Sequence, residues 1–245
     1  MRFYKSSLAL FVSFFVVAQS VAHAEPIYHE IDYPDGDGPF PIVLVLHTSG
    51  GFKTVKKQVS KYKSAGYAVY APDFFRRHGI SKSNRFETWT TYKKAIEAEL
   101  LELIEVIKKD PKADAKNIFA VGFSNGGYWA SFLTARKHTN AGASHYGVWR
   151  WPTSAGWNGF PANYFDNDSN PFLAIHGDKD SVQKPRFVYE QLDIIEKKSA
   201  HFKKHIFGNA GHSWDCRSCL KDGYNEQTTR QALKLTLDFF EANKR

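Results

Sequence analysis

The sequence predicts an α/β protein: one domain, without a large cap, on a doubly wound, mostly parallel sheet flanked by helices. Three observations carry this reading. Short apolar, β-branched runs alternate with stretches of helical periodicity along most of the chain. One run, Pro41 to Leu46 (P-I-V-L-V-L), is apolar throughout, which marks a strand buried on both faces. The connections are short, with neither an internal repeat nor an interdomain linker.

Each element has its own signal. Ile27 to Ile31 reads as a first strand, followed by Pro41 to Leu46. Lys53 to Ala65 reads as a polar helix ended by Gly66, and Tyr67 to Ala71 as a short strand stopped by Pro72. Thr88 to Lys109 places Ile96, Leu100, Leu103, Ile104 and Ile107 at helical spacing, and Asp110-Pro111 closes that helix. A strand over Asn117–Phe123 leads into a helix from Tyr128 to Arg136. Gly142 to Val148, Pro171 to Ile175 and His201 to Phe207 read as strands, and Lys184 to Lys198 and Glu226 to Ala242 as helices. Trp149 to Asn170 departs from the rhythm. It holds Trp149, Trp151, Trp157, Phe160, Tyr164 and Phe165 among Gly, Pro and Asn, and reads either as a functional loop or as an aromatic mini-core on the sheet edge.

The first residues resemble a secretory signal: Arg2 and Lys5, an apolar stretch from Leu8 to Ala18, and Ala22-His23-Ala24 as a cleavage site. The apolar stretch is short for a membrane span, so cleavage before Glu25 and export, to a bacterial periplasm or the outside, are expected, with no stable membrane anchor afterwards. Removing residues 1–24 from 245 leaves 221, enough for one domain with a sizeable core, and lowers the net charge from +8 to +6. The basic residues are scattered and do not alternate with aromatics, so no nucleic-acid partner is expected. Cys216 and Cys219 are the two cysteines, and in an oxidising compartment they are expected to pair.

The chemistry centres on Gly122-Phe123-Ser124-Asn125-Gly126, a serine between two glycines, after a strand and before a helix. That order suits a nucleophile elbow, a turn so tight that only glycine fits two residues to either side of the serine. Serine needs a base and an acid to orient that base. Both come later, just past strand ends: His176-Gly177-Asp178-Lys179-Asp180, and Gly208-Asn209-Ala210-Gly211-His212. His212 is the base candidate, while turn chemistry alone leaves Asp178 and Asp180 as competing acids. The oxyanion donors are expected from the backbone of Asn125 and, in the glycine loop His47-Thr48-Ser49-Gly50-Gly51, of Ser49.

These residues together make the chain resemble the dienelactone hydrolase-like family of the α/β-hydrolase fold. Further matches are Ala65 to Asp73 and Thr236-Leu237-Asp238-Phe239-Phe240, so the likeness covers about Pro41 to Phe240. The resemblance implies a catalytic set of Ser124, His212 and Asp180, because the family places its acid at the end of H-G-x-x-D. It implies a hydrolase that acts on a small-molecule ester or lactone without a cofactor. There are departures. The family's namesakes place a cysteine where this chain has Ser124, and a glutamate where Thr48 stands. Their substrate-binding arginines are matched by Arg77 and, one residue out of register, by Arg217. A serine esterase is therefore expected over a dienelactone hydrolase proper. Trp149, Trp151 and Trp214 are candidates, with Arg77, to line the substrate pocket. A peptidase of the same fold and a non-catalytic binding protein are the rival readings. His212, Asp215, Cys216 and Cys219 also suggest a metal set, but the triad claims His212 and no metal is expected. Asp166 to Asn170 resembles half a calcium loop and is read as a turn.

Overall fold

The computed structural model describes residues 26–153, 156–217, 219 and 223–245. The expected signal segment, residues 1–24, lies outside them. Among the described residues nine strands form: β1 (His29–Asp32), β2 (Phe40–Leu46), β3 (Ala68–Pro72), β4 (Ala113–Phe123), β5 (Ala141–His145), β6 (Trp151–Thr153), β7 (Gly156–Gly159), β8 (Phe172–Gly177) and β9 (Phe202–Phe207). Five α-helices accompany them: α1 (Lys56–Ser64), α2 (Lys93–Lys108), α3 (Asn125–Ala135), α4 (Pro185–Lys198) and α5 (Glu226–Glu241).

Seven strands make one sheet in the order β1-β3-β2-β4-β5-β8-β9. β1 runs antiparallel to β3 at one edge, and every other pairing is parallel. The order reverses direction after β3, and this sends helices to both faces. Along β2 the side chains divide by alternation. Ile42, Leu44 and Leu46 join a core with α2, α3 and α4, while Val43 and Val45 join a second core with α1 and α5. The unbroken apolar run of β2 thus feeds both sides of a three-layer sandwich.

Element boundaries differ from the expectations where local geometry intervenes. The helix expected from Thr88 begins at Lys93, because Arg85–Trp89 forms a 3-10 turn in which Thr88 is buried and accepts a hydrogen bond from Trp129 Nε1 at 3.1 Å. The strand expected to reach Val148 stops at His145, because Tyr146 adopts a left-handed φ of 40°. The Trp149–Asn170 stretch is not a plain loop. It carries the β6–β7 hairpin and a short 3-10 turn at Pro161–Asn163, and Trp149, Trp151 and Phe165 enter the core shared with α3 and α4. These three residues thus belong to the main core on one face of the sheet, not to a separate mini-core at its edge. Asp166 to Ser169 forms a turn in which Asp166 Oδ1 accepts from the Asp168 N–H at 3.0 Å.

Candidate active site

The centre of the site is the junction of β4 and α3. Ser124 lies there at φ 51°, ψ −109°, a conformation that non-glycine residues rarely adopt. The turn is closed by hydrogen bonds from the Ser124 N–H to the His145 carbonyl (3.1 Å), from the Val148 N–H to the Ser124 carbonyl (3.1 Å), and from the Gly126 N–H to the His47 carbonyl (2.9 Å). The flanking glycines are required by contact. A Cβ on Gly122 would lie 2.0 Å from the Gly126 carbonyl oxygen, and one on Gly126 would lie 2.1 Å from that of Leu46. Backbone occupies both positions, so no side chain can turn away to make room.

Two loops at the carboxyl end of the sheet meet this serine. The loop after β9 carries His212, whose Nε2 lies 3.0 Å from Ser124 Oγ. The loop after β8 carries Asp180, whose Oδ2 lies 2.7 Å from His212 Nδ1. With Nδ1–H donating to the carboxylate, Nε2 is left as the acceptor facing the serine hydroxyl. Asp180 Oδ1 accepts the N–H groups of Val182 and Gln183, both at 2.8 Å, so the carboxylate is held on both oxygens. His176 Nε2, 3.4 Å from Asp180 Oδ2, donates to the Gln183 carbonyl at 3.0 Å. Ser124, His212 and Asp180 are all buried. Burial pushes the Asp180 carboxyl up, but the hydrogen bond and charge of His212, the charge of His176 and the Gln183 N–H outweigh it and hold the group below the usual carboxylate range. Asp178, the competing acid, instead accepts the Asn209 N–H at 2.7 Å and ties the two loops together.

The glycine loop after β2 lies beside the elbow. Asn125 Nδ2 donates to Ser49 Oγ at 3.4 Å, which brings the two residues expected to supply the oxyanion amides next to each other. Thr48 shapes this loop. Its hydroxyl donates to Thr54 Oγ1 at 3.0 Å and accepts the Gly50 N–H at 3.0 Å. Under the loop, the buried His47 ring stacks on Phe74 with 3.7 Å between centroids and lies 3.5 Å from Asp73.

The chain matches the family model for the dienelactone hydrolase family over residues 30–243. It belongs to that family. Its fold is shared with the crystal structure of a Klebsiella pneumoniae protein named after dienelactone hydrolase (TM-score 0.71, 22% identity, 87% of this chain and 92% of that one). It is shared too with an esterase from the Planctomycetes species Thermogutta terrifontis, solved with butyrate bound (TM-score 0.68, 14% identity, 87% and 88%). A Bacillus subtilis (strain 168) protein, the uncharacterized peptidase YuxL, is 22% identical over 209 residues. That match takes in 73% of this chain but 32% of YuxL, so the chain spans about a third of that relative's length.

Not every residue singled out from the sequence joins the site. Trp149 and Trp214 are 1% and 0% exposed, and Trp151 is also buried. Trp149 packs edge-on against Phe172 and Phe202, Trp151 against Tyr128, and Trp214 against Tyr146 and Phe207. All three rings serve the core, not an open pocket. Arg77 is engaged away from the elbow, with Nη1 3.0 Å from Glu99 Oε1 on α2, and its neighbour Arg76 lines the cleft beside Ser49. Arg217 is a surface side chain 3.8 Å from Glu226. Cys216 and Cys219 form a disulfide with a Cα–Cα distance of 5.4 Å, which removes both thiols from the metal set. The sequence reading missed a cleft of about 320 Å³ lined by Arg150, Val182, Gln183, Lys184 and Phe187. Gln183 connects it to the Ser124–His212–Asp180 chain: its N–H is held by Asp180, and its Oε1 accepts the Trp149 N–H at 3.1 Å. The only sequence signal was its position three residues after Asp180.

Proposed function

We propose that this protein is an exported serine hydrolase that cleaves a carboxylic ester or lactone through an acyl-enzyme. The observation that carries the reading is the hydrogen-bonded chain Ser124–His212–Asp180, built on an elbow whose flanking glycines leave no space for a side chain. Ser124 Oγ attacks the carbonyl carbon while His212 Nε2 takes its proton. The imidazolium is held by Asp180 and returns the proton to the leaving alcohol. Water then repeats the sequence on the acyl-enzyme. The backbone N–H groups of Asn125 and Ser49 receive the developing oxyanion, and the first of these opens helix α3, where the helix dipole favours negative charge. None of these steps calls on a metal or organic cofactor.

The cleft at Arg150, Val182 and Phe187 is our candidate for the part of the substrate away from the scissile bond. Val182 is 53% exposed there, and the Phe187 ring lies under the guanidinium groups of Arg150 (4.7 Å) and Arg186 (4.3 Å). These features suit a compact, partly apolar acyl or alcohol group. The expected signal segment, the disulfide and the lack of any membrane-crossing helix among the described residues support export.

The test is hydrolysis of a short-chain p-nitrophenyl ester by the mature protein. Wild type turns over and is labelled by a fluorophosphonate, whereas Ser124→Ala does neither while keeping its fold. Undiminished turnover by the folded variant refutes the proposal. A peptidase is the second reading, favoured by the name of YuxL, and faster cleavage of an aminoacyl p-nitroanilide than of any ester selects it.

A further inference from the structure

The loop that carries His212 continues as Ser213-Trp214-Asp215-Cys216, and Asp215 has no part in the chemistry described above. It is nevertheless a carboxylate turned inward. Its Oδ1 accepts the Tyr146 hydroxyl at 2.5 Å and its Oδ2 accepts from Gln58 Nε2 on α1. The Tyr146 ring in turn meets the His212 ring, with 4.9 Å between centroids and 62° between planes, and Trp214 closes its other side at 4.8 Å. Tyr146 is 1% exposed. Its φ of 40° is strained for a tyrosine, and its N–H is fixed to the Ile175 carbonyl at 2.9 Å. The preceding residue, His145, receives the Ser124 N–H, so one short segment supports both the serine and the histidine.

Packing alone does not require this arrangement. Drawing a carboxylate partly out of water is costly, and an apolar side chain would fill the same space without that cost. Burial pushes the Asp215 carboxyl up and keeps the proton on the Tyr146 oxygen, so tyrosine is the donor in the pair. Donation to a carboxylate enriches the phenol ring in electrons, and an electron-rich ring stabilises a cation held against it.

We propose that Tyr146, anchored by Asp215, is a positioning residue that orients His212 and stabilises the imidazolium formed when His212 takes the proton of Ser124. The proposal rests on the serine-hydrolase reading. His212 is then contacted by Ser124 at Nε2, by Asp180 at Nδ1 and by Tyr146 on its ring, with His176 behind Asp180. Asp215 is faced by Tyr146 and Gln58, with the charge of Lys61 on α1 acting on it and the neutral Tyr62 phenol nearby. The disulfide begins at the next residue, Cys216, so it closes the loop just beyond the anchor.

The experiment compares Tyr146→Phe, Asp215→Asn and the double variant with wild type. It measures kcat, KM, the pH dependence of kcat/KM, fluorophosphonate labelling and Tm. Each single variant is expected to keep its KM and to lose about 10-fold in kcat, because the imidazolium exists only beyond the ground state. The acidic limb of the profile moves to lower pH by up to about one unit. The double variant loses no more than either single variant, because both changes break the same contact. Unchanged kcat and an unmoved limb in folded variants, whatever happens to Tm, overturn the proposal and leave the serine-hydrolase reading intact. Failure of wild type itself to label or to turn over esters overturns both.

Discussion

Acid should weaken this protein through the buried His145, and the size of the effect follows from its surroundings. His145 ends β5 and is 3% exposed. Its Nε2 lies 2.8 Å from Thr236 Oγ1, whose own proton goes to the Ala232 carbonyl, so the imidazole is the donor and is neutral. Burial, helped by the charge of Lys61, pushes its pKa down to about 3. The unfolded chain protonates this residue near 6.5, so between those values the unfolded state binds the extra proton and stability falls as pH falls. The contribution is complete at pH 7 and above. By pH 5 the chain has lost 1.5 pH units at about 1.36 kcal/mol each, or about 2 kcal/mol. The perturbation is His145→Gln, which keeps a donor in reach of Thr236 and removes the titration. Urea unfolding, followed by tryptophan fluorescence at pH 7, 6 and 5, gives the assay. Wild type should lose about 2 kcal/mol more than the variant between pH 7 and 5, even though the variant starts from a lower value. If the two stabilities run parallel over that range, the burial argument is wrong.

Three further outcomes follow. Gly126→Ala drives a methyl group into the Leu46 carbonyl at 2.1 Å and should cost about 3 kcal/mol or more, seen as a collapse of Tm or of soluble yield; a Tm close to that of wild type would show that the elbow can relax. Asp180→Asn should lower kcat about 10⁴-fold with KM nearly constant, because the amide no longer fixes the His212 tautomer; a loss below about 10-fold would mean that another group orients His212. Phe187→Ala should raise KM for bulky acyl or alcohol groups and leave p-nitrophenyl acetate unaffected, and equal effects across a substrate panel would remove the cleft from the binding site.

The architecture was legible because a parallel sheet leaves an unusually plain record. Strands buried on both faces lose the polar half of their alternation, as β2 does, and the helices between them keep an apolar stripe. Boundaries were less legible wherever one residue took an unusual backbone conformation. Nothing in Gly142 to Val148 announces that Tyr146 will turn at φ 40° and end the strand early. The tryptophans show the opposite limit. Composition revealed an aromatic cluster after β5, but hydrophobicity cannot say whether a ring faces a cleft or a core, and for Trp149, Trp151 and Trp214 it is the core. The Arg150–Phe187 cleft was invisible because its lining comes from segments more than thirty residues apart in the chain, brought together by Gln183.

The site also explains why one motif position could change without loss of the rest. The family's namesakes place a cysteine at the elbow and a glutamate in the early loop to activate it. Here the hydroxyl of Ser124 already faces His212 at 3.0 Å in the resting arrangement, with Asp180 behind, so a second activating carboxylate has no proton to take. Thr48 is free of that duty, and its hydroxyl spans Thr54 and the Gly50 N–H instead, fixing the loop that presents Ser49. On the proposed serine mechanism, threonine in place of glutamate and hydroxyl in place of thiol belong together. Restoring only half of the pair should therefore fail. Thr48→Glu alone puts a carboxylate beside the proposed oxyanion donors, where it competes with the developing negative charge, so kcat falls while Ser124 remains correctly held. An increase in esterase activity in that variant would break the argument.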